Sequence, residues 1–163
     1  DQSWDVALRY NGKVMGTKIK SGVAFSNDQA AELYSGSIAL LHSSGLGAQY
    51  GIEYINNETR GGEGQNNAAL VGEDPLFQSA QLFYTSKFNE MGKTQVMYEY
   101  AHAEHKNASG DIADSHSVAI AQNVDAAAME LFLRFTTVEM NNDALTLDND
   151  TVKSLTIATR VKF

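Results

Sequence analysis

The chain has 163 residues, a formal net charge of −8, one Pro, 13 Gly and no Cys. It has no run of 18 apolar residues, which excludes a transmembrane helix, and without Cys there is neither a disulfide framework nor thiolate chemistry. The acidic balance argues against nucleic acid as a partner, and many Gly beside one Pro favour sheet with tight turns over a helical bundle. Composition is uniform, so residues 1–163 read as a single domain. The start, Asp1-Gln2-Ser3-Trp4, carries no signal peptide, which gives the expectation that one was removed or that the chain begins inside a longer protein.

Trp4, Val6, Leu8 and Tyr10 alternate with Asp5, Ala7 and Arg9, the period of two of a first strand. Asn11-Gly12 is a hairpin signal. A second strand, about 16–25, sets Ile19, Val23 and Phe25 against Lys18, Lys20, Gly22 and Ala24. Residues 26–33 read as a polar connection with room for a helical turn. Strand three, about 34–42, carries Ile38 and Leu40 and turns at Ser43-Ser44-Gly45; strand four alternates Leu46, Ala48, Tyr50, Ile52 and Tyr54 with Gly47, Gln49, Gly51 and Glu53. The longest loop, 56–74, is rich in Asn, Gly and Glu.

Strand five, about 77–88, sets Ala80, Leu82, Tyr84 and Phe88 against Ser79, Gln81, Thr85 and Lys87, with Phe77 and Phe83 on the polar side. Residues 89–92 turn into strand six, where Val96, Tyr98 and Tyr100 oppose Gln95, Met97 and Glu99. A loop at 104–114 leads to strand seven with Val118 and Ile120 outward. After a short turn at 123–128, strand eight faces Leu131, Leu133 and Phe135 outward and Glu130, Arg134 and Thr136 inward. Residues 140–151 read as a last loop. Strand nine, 154–163, alternates over its whole length down to Phe163, long enough to cross a bilayer obliquely. Short connections one, three, five and seven against longer two, four, six and eight is the asymmetry of an outer-membrane barrel, with long loops extracellular.

A chain that stops on Phe after alternating apolar residues resembles the C-terminal signal of Gram-negative outer-membrane barrels. The stretches Ser35-Gly-Ser-Ile-Ala-Leu-Leu-His42 and Ala121-Gln-Asn-Val-Asp-Ala-Ala-Ala-Met-Glu-Leu-Phe-Leu133, with the final Thr-Arg-Val-Lys-Phe, resemble the C-terminal part of general diffusion porins, in order and over nearly the whole chain. The resemblance implies an all-β fold, the C-terminal half of a 16-stranded antiparallel transmembrane barrel. It also implies an outer-membrane location, a homotrimer, contacts with lipid and lipopolysaccharide, and passive diffusion of ions and small hydrophilic solutes. Nine strands cannot close antiparallel, and open edges in lipid leave backbone groups unpaired. A second polypeptide carrying the first strands is therefore expected as a partner.

Of 12 Lys and Arg, seven read as inward: Arg9, Lys18, Lys20, Lys87, Arg134, Arg160 and Lys162. Fewer acids read as inward on strands: Asp5, Glu53, Glu99 and Glu130. Arg9, Lys18, Lys20, Glu53, Glu99, Glu130, Arg134 and Arg160 are the candidate pore-lining residues; in porins a basic wall faces acids on a constriction loop, and charge sets ion selectivity. Trp4, Tyr10, Tyr34, Tyr54, Tyr84, Phe88, Tyr100 and Phe163 are candidates for aromatic girdles. Loop acids, among them Asp28, Glu58 and Asp143, read as solvated surface, with divalent bridging to lipopolysaccharide as the sharper alternative. His102, Glu104, His105 and His116 could approach across a hairpin, but their spacing matches no known zinc site. His42 beside Ser43 and Ser44 sits in a short turn where no triad forms, so an enzyme is not expected; no cofactor is expected either. Two further readings compete with a channel: a structural shell around a partner protein, favoured by small inward residues such as Gly22, Ala24 and Ala119, and an eight-stranded barrel lacking strand one, filled by its own side chains.

Overall fold

A computed structural model of the chain describes residues 3–27, 31–56, 73–105, 110–142 and 147–161. Nine strands form one sheet in chain order: β1 (Trp4–Val14), β2 (Thr17–Asn27), β3 (Glu32–His42), β4 (Leu46–Asn56), β5 (Leu76–Asn89), β6 (Gly92–Glu104), β7 (Asp111–Val124), β8 (Met129–Asn142) and β9 (Leu147–Val161). Every neighbouring pair is antiparallel. The sheet is open, with β1 and β9 at its edges.

The alternation in sequence becomes two chemically distinct faces because the register keeps like with like. One row runs Leu8↔Val23↔Gly36↔Ile52, another Val118↔Phe135↔Leu155. Across the opposite face run Arg9↔Gly22↔Ser37↔Gly51 and Glu99↔Ser117↔Thr136. A slip of one residue in any pair would mix the two sets. Phe77 and Phe83 do lie on the polar face. Phe83 pairs with Gly47, and its ring occupies the space that a Cβ on residue 47 would need. The ring covers backbone that a glycine leaves bare.

Four boundaries differ from the sequence reading. The first hairpin does not turn at Asn11-Gly12: β1 continues to Val14, which pairs with Thr17, and the turn is Met15-Gly16, with φ of 46° and 81°. Positive φ at both central residues is the turn that matches strand twist. Gly12 has a different use, because the Tyr10 ring lies over it where a Cβ would sit. β2 runs through Asn27 and β3 begins at Glu32, within the expected polar connection. β6 and β7 likewise extend to Glu104 and from Asp111. The expected loop 140–151 is mostly strand, since β8 reaches Asn142 and β9 begins at Leu147. Polar residues such as Asn and Asp suggested a loop; ladder pairing beyond the apolar stretch overrides that preference.

With these boundaries, one end of the sheet has connections 15–16, 43–45, 90–91 and 125–128, the last holding a 3₁₀ turn at Asp125–Ala127. The other end has 28–31, 57–75, 105–110 and 143–146. The short-against-long asymmetry therefore rests mainly on 57–75.

Following the apolar band across the register gives its slope. It starts at Trp4 on β1 and one alternation lower on β2–β4, at Phe25, Tyr34 and Tyr54. The row through Tyr54 and Leu76 meets Glu104 on β6 and Asn141 on β8, yet the band there begins only at Tyr100 and Phe135. Averaged from Trp4 on β1 to Phe135 on β8, the boundary falls by about one residue per strand, with Ile112 on β7 lying above it. With roughly 3.3 Å per residue and 4.8 Å between strands, that is a slope of roughly 35°, the tilt at which membrane barrels carry their strands.

Candidate functional site: the polar face and its rim

Every candidate pore-lining residue shares one face of the sheet, at odd positions of β1, β4 and β6 and even positions of β2, β8 and β9. Their electrostatic situations differ. On β6, β8 and β9, Glu99, Arg134, Glu130 and Arg160 are paired. Arg134 on β8 reaches across β7 to Glu99 on β6, Nη2 donating to Oε1 at 2.5 Å and to Ser117 Oγ at 2.8 Å. Its Nε donates to Thr136 Oγ1 at 3.2 Å, and Ser117 and Thr136 hydroxyls are 2.9 Å apart. Gln81 on β5 donates to the other Glu99 oxygen at 3.1 Å. Side chains two strands apart meet because the residue between them is small; Ser117 is 3% exposed. Further toward the short turns, Arg160 grips Glu130, Nη2 lying 2.9 and 3.0 Å from its two oxygens.

Glu99→Gln leaves the Arg134 guanidinium with neutral partners only. Breaking a fully buried pair costs about 3–5 kcal/mol. Here the side chains are 25% and 33% exposed, so solvent screening reduces the expected loss to about 1–2 kcal/mol. Urea unfolding checks this, and Glu99→Met with Arg134→Met should recover much of the loss.

Over β1–β2 the balance is reversed. Arg9 faces Gly22, Lys20 faces Asn11, and Lys13 directly faces Lys18. None of the four makes an ion pair with a described residue. Like charges directly opposite one another destabilise a sheet, so this basic column is not explained by the sheet's own stability. Lys13 was missed in the sequence because it followed the supposed Asn11-Gly12 turn; a β1 running to Val14 restores its parity. Lys87 lies beyond the register shift after Ser86, and Lys162 lies outside the described residues.

On the apolar face, Trp4, Phe25, Tyr34 and Tyr54 make a ring ladder with centroids 5.0, 4.9 and 6.2 Å apart. Phe25 belongs with the three candidates, a member the sequence reading placed outward but not in a girdle. Tyr hydroxyls at this border point to polar groups: Tyr34 donates to Glu32 at 2.8 Å, Tyr54 to Asp74 at 2.5 Å and Tyr100 to Asp114 at 2.6 Å. That is how an amphipathic ring sits where one end is apolar and the other wet. Tyr84 and Phe88 meet edge-on at 6.0 Å toward the short-turn end. Tyr10 is further from its strand end than expected, but its ring extends over Gly12 toward the Met15-Gly16 turn. Phe163 lies outside the described residues, as do the loop acids Asp28, Glu58 and Asp143.

Above the band on β6–β7, His102 Nδ1 lies 2.8 Å from Asp114 and its Nε2 2.8 Å from Glu104. Both nitrogens facing carboxylates favours the imidazolium. Hydrogen bonds to Glu104 first and Asp114 second raise the His102 pKa above its ordinary 6.5, with burial opposing. The Tyr100 hydroxyl first and His102 second hold Asp114 below its ordinary 3.8. The His102 contribution to stability is complete below pH 6.5 and is lost as pH rises through the raised folded value. That of Asp114 is present above pH 3.8 and is lost as pH falls through its lowered folded value. Thermal midpoints should decline as pH rises from 6.5 through His102's raised folded pKa, and His102→Ala should flatten that limb. His116 pairs instead with Tyr98 at 2.7 Å, and His105 Nδ1 accepts from Gly110 N at 2.9 Å. The four proposed ligands are thus not brought together, and among the described residues no three His, Asp or Glu side chains are placed to hold a metal ion. His42 Nδ1 lies 2.8 Å from Ser44 Oγ and 3.2 Å from Ser44 N, a turn contact within three residues.

An open antiparallel sheet with one apolar and one charged face, tilted strands and aromatic borders has the porin fold. No protein-family model and no curated protein matches the chain. Among solved structures, a BenF-like porin from Pseudomonas fluorescens Pf-5 aligns with a TM-score of 0.64 at 10% identity, over 97% of this chain and 47% of its own. OccAB4 of Acinetobacter baumannii aligns with a TM-score of 0.61 at 14% identity, over 96% and 45%. At these identities the likeness is one of fold, and the chain spans less than half the length of either structure.

Proposed function

We propose that this chain forms part of the wall of a channel in the outer membrane of a Gram-negative bacterium, through which ions and small hydrophilic solutes diffuse passively. The observation that carries the reading is the basic column Arg9, Lys13, Lys18 and Lys20, without acid partners among the described residues, on a polar face backed by an apolar one. Cations that no neighbouring carboxylate neutralises act on passing solutes and set ion selectivity. Arg9, Lys18, Lys20, Glu53, Glu99, Glu130, Arg134 and Arg160 line the lumen, and Trp4, Tyr10, Tyr34, Tyr54, Tyr84, Phe88, Tyr100 and Phe163 belong to the girdles. The wall works without a cofactor and is no enzyme.

Strand direction limits what completes the barrel. β1 and β9 run the same way, as the ends of any odd antiparallel meander do. A second copy rotated about the membrane normal would set β9 beside β1 in parallel. An all-antiparallel barrel instead needs an odd number of further strands, from more of the same protein or from a second polypeptide; sixteen in all would need seven. Homotrimers in contact with lipid and lipopolysaccharide complete the proposal.

Steady single-channel conductance of the detergent-extracted assembly in a planar bilayer tests it. A closed assembly holding a tightly co-purifying protein would replace the channel by the structural shell. A chain that folds alone at its own mass and does not conduct would favour the eight-stranded barrel.

A further inference from the structure

Three lysines from three strands surround one hollow at the short-turn end of the polar face. Lys13 near the end of β1, Lys18 near the start of β2 and Lys93 near the start of β6 line a cavity of about 490 Å³, together with Ser43, Ser44 and Thr85. Among the described residues no carboxylate lines it, and none of the three ammonium groups makes an ion pair. Lys13 and Lys18 are direct cross-strand partners, a pairing that costs stability unless a counter-charge is bound. The frame around them is fixed. Gly45, at φ 94°, accepts a hydrogen bond from Thr85 N at 2.9 Å, and a Cβ there would collide with the Thr85 carbonyl oxygen. That contact ties the β3–β4 turn to β5, and the Phe83 ring forms part of the cavity wall.

We propose that this hollow binds a small polyvalent oxyanion of the phosphate class. Ammonium groups act as mobile point charges suited to phosphate oxygens, and Ser and Thr hydroxyls donate the remaining hydrogen bonds. A monovalent ion gains little from three cations in an open, hydrated site, whereas a dianion is held by all three. The site is built from β1–β6 alone and needs none of the strands that complete the barrel. It rests on the channel reading only for the route by which the ion arrives.

The test is a titration of the folded, detergent-extracted assembly with inorganic phosphate at low ionic strength, followed by calorimetry and by phosphorus NMR line width. Saturable binding, one phosphate per chain, is expected. K13Q/K18Q/K93Q should weaken it at least about ten-fold, while K153Q, a charge change on the opposite face, should leave it within about two-fold. Heat-modifiable migration reports whether the triple variant folds; if it does not, K93Q alone should still weaken binding several-fold. The absence of saturable binding, or equal binding in the lysine variants, overturns the site. Phosphate binding without conductance refutes the channel and leaves the site standing; conductance without phosphate binding does the reverse.

Discussion

Ile38→Arg should destabilise the assembled barrel by about 2–4 kcal/mol, and Ser37→Arg, one residue earlier, by less than about 1 kcal/mol. Ile38 lies on an interior strand in the middle of the apolar band, in the row Tyr10↔Ser21↔Ile38↔Tyr50. A guanidinium there faces hydrocarbon with no strand end near enough to reach. Ser37 lies on the polar face between Gly22 and Gly51, where a long side chain finds both space and water. Unfolding in lipid vesicles over a urea series gives both values. Equal costs at the two positions would remove the distinction between faces on which the channel rests.

Replacing the upper part of the basic column, R9Q/K20Q, should raise the cation-to-anion permeability ratio, with an upper limit on the order of ten-fold. No acid among the described residues is released by the change, because neither Arg9 nor Lys20 is paired with one there. The opposite design, E99Q, uncovers the Arg134 guanidinium and should move the ratio the other way, toward anions. Reversal potentials under a potassium chloride gradient separate the two. A ratio unmoved by R9Q/K20Q would mean that the column lies outside the conducting path.

Strand existence and parity were legible in the sequence because each strand carries a period of two with one face apolar. Leu46, Ala48, Tyr50, Ile52 and Tyr54 all fall on the face expected of them, and so do Leu131, Leu133 and Phe135. Strand ends were less legible, since beyond the apolar band both faces are polar and the alternation vanishes. The start of β9 is set by ladder pairing, Asp150 with Met140 and Thr151 with Glu139, which no local pattern records. The Asn11-Gly12 signal misled for a related reason: turn propensity is local, whereas the ring of Tyr10 over Gly12 and the pairing of Val14 with Thr17 are not. That error hid Lys13, and with it the opposed lysine pair. The Arg134–Glu99 link could not be read at all, because it joins strands two apart across Ser117.

The shared direction of β1 and β9 bears on how such a wall is assembled. All main contacts join consecutive strands, so the sheet can grow hairpin by hairpin with each strand templating the next. At nine strands its two margins offer mismatched polarity, and a growing sheet cannot seal on itself by antiparallel zippering. Both margins therefore keep unpaired backbone groups until an odd number of further strands is supplied.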